Sequence, residues 1–81
     1  MRYYILKNHA IGIDLETNRT KYEYIIFDTH KRTLCKVNDT FDKAAGLADV
    51  LKAQRLSPIE ANRKGYFNFK ETKNLDIPLP F

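Results

Sequence analysis

At 81 residues the chain is sized for one domain with one modest core, because a chain this short buries only about 60% of the surface that its unfolded form exposes. Hydrophobic residues at 43% against charged ones at 30% exclude a disordered class. Fourteen Lys and Arg against ten Asp and Glu leave +4, which favours polyanions at low salt without amounting to a dedicated basic arm.

Apolar runs such as Tyr24 to Phe27 are far too short to cross a bilayer, and no basic start leads into an apolar signal segment. A cytoplasmic protein with no membrane partner is expected. The single cysteine, Cys35, has no partner for an internal disulfide. The sequons Asn18-Arg19-Thr20 and Asn38-Asp39-Thr40 mark turns in such a compartment rather than glycans.

Arg2 to Lys7 is rich in aromatic and β-branched residues, and Ile11, Ile13 and Leu15 alternate with Gly12, Asp14 and Glu16. This predicts two strands, or one strand bent at Asn8-His9. A polar turn over Glu16 to Thr20 leads into Tyr22 to Asp28, with Tyr22, Tyr24 and Ile26 on one face and Ile25 and Phe27 on the other. A strand apolar on both faces is central. Asp28 to Arg32 reads as a hairpin turn, and the return strand sets Thr33, Cys35 and Val37 against Leu34 and Lys36.

Asp39 or Thr40 can cap a helix whose first turn carries Asp42, suited to the positive end of the helix dipole. Phe41, Ala44, Ala45, Leu47, Ala48 and Leu51 recur at helical spacing and predict the face that packs on the sheet, with Gly46 on the polar side. Ser57-Pro58-Ile59-Glu60 combines a serine cap, a proline at the first helical position and a glutamate three residues after the cap. A second, short helix starts there. Gly65 closes it in a left-handed conformation, and Tyr66 to Lys70 is expected to return as a last strand with Phe67 and Phe69 facing the same way.

The prediction is an α+β fold: a small antiparallel sheet of four or five strands, one main helix on one face and a second short helix. Residues 1–74 form the single domain. Residues 75–81 form an extended tail, because Leu75, Ile77, Leu79 and Phe81 alternate with Asp76, Pro78 and Pro80, and proline blocks helix and central-strand pairing. The tail either completes the core of its own domain or docks on another chain.

Catalytic chemistry finds little support. The histidines, His9 and His30, fall in expected turns, and Cys35 alternates with Thr33 and Val37 on an inward face, which describes a core thiol rather than a nucleophile. Two histidines and one cysteine show none of the zinc spacings. Glu71-Thr72-Lys73 has the Glu-x-Lys form of metal-dependent nucleases, but no Pro-Asp pair precedes it, and Asp28 or Asp39 would have to supply the missing ligand. No enzyme activity, metal or cofactor is expected.

Binding is better supported. Five tyrosines and five phenylalanines lie among the cations, and aromatic faces stack bases while cations track phosphates. Two basic groups stand out: His30-Lys31-Arg32 at the hairpin tip, and Arg63-Lys64 followed by Lys70 and Lys73. As interface anchors the sequence nominates Tyr3, Tyr22, Tyr24, Lys31, Arg32, Arg63, Lys64 and Tyr66.

Lys64-Gly65-Tyr66-Phe67 resembles the opening of the central motif of RNA-recognition-motif domains, but the register departs after Tyr66 and no helix separates the first two strands. The RNA site is not carried over. Three strands followed by a helix also resemble the small domains that place a three-stranded sheet in the DNA major groove, yet Tyr22, Tyr24, Leu34 and Lys36 are mostly not cationic. From Tyr22 to Glu71 the pattern resembles the minimal strand-strand-helix-strand proteins of bacteriophages and mobile elements, a group that includes anti-CRISPR inhibitors. That resemblance implies a non-enzymatic inhibitor that covers a surface of a host protein or nucleoprotein complex in the host cytoplasm. The alternative is a small basic accessory protein that binds nucleic acid through phosphate contacts. A homodimer through an edge strand or the tail is compatible with both.

Overall fold

Apolar side chains on both faces of residues 20–28 require cover on both sides, and the fold supplies it. The computed structural model describes residues 1–75. In chain order the elements are β1 (Tyr3–Ile13), β2 (Thr20–Asp28), β3 (Thr33–Thr40), α1 (Phe41–Leu51), β4 (Gln54–Arg55), α2 (Pro58–Arg63), a single 3-10 turn (Tyr66–Asn68) and β5 (Lys70–Thr72). The sheet order is β4-β1-β2-β3-β5, so β2 is its middle strand. The tail expected over residues 75–81 lies, from residue 76 onward, outside the described residues.

The three long strands form an antiparallel meander, as expected, whereas the two short edges pair in parallel, β4 with β1 and β5 with β3. The sheet is therefore mixed. β1 is one continuous strand that absorbs an extra residue twice against β2, between Lys7 and Ala10 and between Ala10 and Gly12. These two bulges are the bend that Asn8-His9 suggested.

Side chains divide by parity into two cores. Tyr3, Ile5, Tyr24 and Ile26 pack under Ala44, Leu47 and Leu51 of α1. On the opposite face Leu6, Ile25, Phe27 and Leu34 pack with Leu56 and Ala61. Phe27 and Ile26, adjacent on β2 and pointing oppositely, are the largest fully buried side chains. Leu75 rests against the α1-side core.

Capping follows the sequence at α2, where the Glu60 amide donates to Ser57 Oγ at 3.2 Å. At α1, Thr40 occupies the cap position without a side-chain bond, and Asp39 Oδ1 accepts from the Thr40 amide at 2.8 Å. The helix ends without glycine: Lys52 takes φ 54°, while the Ala53 amide reaches back to the Ala48 carbonyl and that of Lys52 to Asp49. Gly65 turns the chain after α2 at φ 73°, a region that other residues occupy only with strain.

Two expectations are corrected. Tyr66 to Asn68 is not a strand but the 3-10 turn, and the last strand begins only at Lys70. Phe41 is placed by helical spacing on the packed face, yet it stays 46% exposed at the start of α1, with the Arg55 guanidinium 5.2 Å from its ring centre. No helix among the described residues is long and apolar enough to cross a membrane.

Candidate interface on the second face

The hairpin between β2 and β3 begins with a carboxylate that does several jobs. Asp28 accepts from Arg2 Nε and Nη2, both at 3.1 Å, and its Oδ1 also takes the amides of His30 at 3.0 Å and Lys31 at 3.2 Å. Burial alone would raise its pKa, but the Arg2 hydrogen bond, the two amides and the guanidinium charge outweigh burial and hold it below the usual carboxylate value. The turn thus presents Lys31 and Arg32, both exposed, with Arg32 at φ 56°.

From Arg32 a chain of aromatic contacts crosses the face opposite α1. The Arg32 guanidinium lies 5.2 Å from the Phe69 ring centre. Phe69 packs at a tilt against Tyr66 with ring centres 5.0 Å apart, and Tyr66 likewise against Tyr4 at 5.6 Å. Lys64 Nζ sits 5.1 Å from the centre of Tyr4 and 5.9 Å from that of Tyr66. Phe27 lies beneath, touching Tyr66, Phe67 and Phe69 with centroids 5.3, 5.6 and 6.4 Å away. The 3-10 turn explains this arrangement: it brings Tyr66 and Phe67 as well as Phe69 onto Phe27, where a strand would have sent alternate residues to opposite sides. Phe67 remains 43% exposed.

The eight residues nominated by the sequence do not form one site. Arg32, Lys64 and Tyr66 belong to this aromatic and cationic face, with Lys31 beside Arg32 at the turn and Arg63 in the last turn of α2. Tyr3 and Tyr24 are core residues of the α1 side, 8% and 4% exposed, and are corrected from interface anchors to packing. Tyr22 is half-buried on that same side, with Lys7 Nζ 4.1 Å from its ring centre. Sequence reasoning missed Tyr4 and the joint role of Phe67 and Phe69. Tyr4 was detectable in principle, because it alternates with Tyr3 and shares the parity of Leu6.

The other candidate chemistry stays dispersed. Cys35 is buried, and desolvation, aided by the charge of Glu71, pushes its thiol pKa up, opposite to what a nucleophile needs. Glu71 lies 3.6 Å from Lys36 across the strand pair, while Asp28 is held by Arg2 and Asp39 by the Thr40 amide. Among the described residues no three His, Cys, Asp or Glu side chains gather in a metal-binding group. No family model matches the chain, and neither a curated protein nor a solved structure matches it.

Proposed function

We propose that the chain is a non-enzymatic binding protein that covers an acidic surface of a larger protein or nucleoprotein complex. The observation that carries this reading is the unbroken run Arg32, Phe69, Tyr66, Lys64 and Tyr4 on one face. Aromatic and arginine anchors of this kind dominate interface energetics, because large rigid rings bury apolar area at small entropic cost while adjoining cations select for acidic partners. The phage or mobile-element inhibitor implied by the strand-strand-helix-strand pattern, acting in a host cytoplasm, is the setting in which such a surface works by occlusion alone.

Direct binding to single-stranded nucleic acid is the second reading. The exposed Phe67 ring, next to Tyr66 and Lys64, offers a stacking surface beside a cation.

One pair of variants tests both. Arg32→Gln/Lys64→Gln removes the two ring-capping cations and leaves every aromatic contact in place, so the thermal midpoint should stay within a few degrees of the parent. Capture from host lysate by the parent should return a complex for which the double variant has at least about tenfold lower affinity. Equal capture by both proteins would place the interface elsewhere. Labelled DNA and RNA titrated across a salt series decide between the partners: submicromolar binding with a steep salt slope, lost in the double variant, would favour nucleic acid.

A further inference from the structure

A groove of about 310 Å³ lies between α1 and the β1–β4 edge of the sheet, within the usual range for small-molecule sites. Its walls are apolar: Ala44, Ala45 and Ala48 of α1 face Ile5, Ala53 and Leu56. Four of these are alanines, and their short side chains leave the space open. Phe41, turned out of the core, forms one rim together with the Arg55 guanidinium that stacks on it.

The polar groups of the groove are Lys7, Arg55, Asp49 and Tyr24. Lys7 and Arg55 contact aromatic rings, Tyr22 and Phe41, and neither makes an ion pair among the described residues, with Asp49 or with any other carboxylate. Two unpaired cations and one carboxylate give the groove a single net positive charge. Tyr24 is nine-tenths buried in the same wall, and its hydroxyl is the buried side-chain polar atom without a hydrogen-bond partner among the described residues.

We propose that this groove binds a small amphipathic monocarboxylate, with its apolar body along the alanines of α1 and its carboxylate taken by Arg55. The ligand chemistry follows from the lining. An apolar body is selected by the walls, and an anion by Lys7 and Arg55. A single rather than double charge is selected by Asp49, which repels a phosphate dianion. A planar carboxylate matches the guanidinium fork in a bidentate pair.

The probe is octanoate, titrated into the 15N-labelled protein and compared with octan-1-ol. Octanoate should shift the amides of α1 and β4 saturably, and octan-1-ol should bind at least about tenfold more weakly because it offers Arg55 no charge. Arg55→Gln should weaken octanoate by a similar factor and leave the alcohol unchanged. Ala48→Leu fills the groove and should abolish binding of both. Absence of saturable shifts into the millimolar range, or equal binding of acid and alcohol, overturns the proposal. The Arg55 variant and the alcohol comparison decide it even if Ala48→Leu does not fold. Because none of Arg32, Phe69, Tyr66, Lys64 and Tyr4 lines the groove, Arg32→Gln/Lys64→Gln should leave octanoate binding intact.

Discussion

Phe27→Ala is expected to cost about 3–5 kcal/mol of folding stability, the range for emptying a fully buried aromatic site that cannot collapse. Phe27 is 0% exposed and is the common neighbour of Tyr66, Phe67 and Phe69, so its loss undermines the 3-10 turn as well as leaving a void. A domain of this size holds roughly 4–12 kcal/mol in all at about 0.05–0.15 kcal/mol per residue, so the loss removes from about a quarter to all of it. Urea unfolding followed by circular dichroism reads this directly. Phe27→Leu, which keeps most of the volume, should lose far less. A midpoint for Phe27→Ala close to that of the parent would mean that the second core does not depend on this ring.

Asp28→Ala should cost about 2–3 kcal/mol, because it removes the partly buried carboxylate that accepts from the Arg2 guanidinium and from two turn amides. The pH dependence has a definite sign. The folded pKa of Asp28 lies below its ordinary value, so the carboxylate's contribution is fully present above the unfolded value of about 3.9 and is lost as pH falls through the folded pKa. The gap in stability between the parent and Asp28→Asn should therefore be wide near pH 7 and narrower in acid, once the pH has fallen through the folded pKa. An equal gap at both would show that shape, rather than charge, holds the hairpin.

Much of the fold is legible in the sequence where short-range chemistry decides it. The double-faced alternation of Tyr22 to Asp28 marks the middle strand, and Ser57 through Glu60 marks the start of α2. What the sequence conceals depends on distant partners. Tyr66-Phe67-Asn68-Phe69 has the same alternation as a strand, and only the position of Phe27 makes a 3-10 turn the better way to bring three rings against it. Gln54–Arg55 has no apolar pattern, because β4 is defined by its pairing with Tyr4 and Ile5 alone. Phe41 obeys the helical period, yet at the first position of α1 it lies at the rim, where Arg55 meets it.

The interface is partly legible in the same way. Composition nominates tyrosines and cations, but burial separates Tyr3 and Tyr24 from Tyr66, and only the fold joins the two basic groups through Tyr66 and Phe69.

The parallel edges also have a consequence in time. The hairpins of the meander join neighbouring segments, whereas β4 must return to β1 and β5 to β3 across long intervening stretches, and closing long loops is entropically slow. The edges should be the last parts to assemble and the first to open. The Leu56 amide, bonded to the Ile5 carbonyl at 2.9 Å beside β4, should exchange with solvent through a local opening well below the global unfolding free energy, while Ile26 exchanges only when the whole domain unfolds. Equal protection at the two amides, measured by native-state hydrogen exchange, would instead make the five strands one cooperative unit.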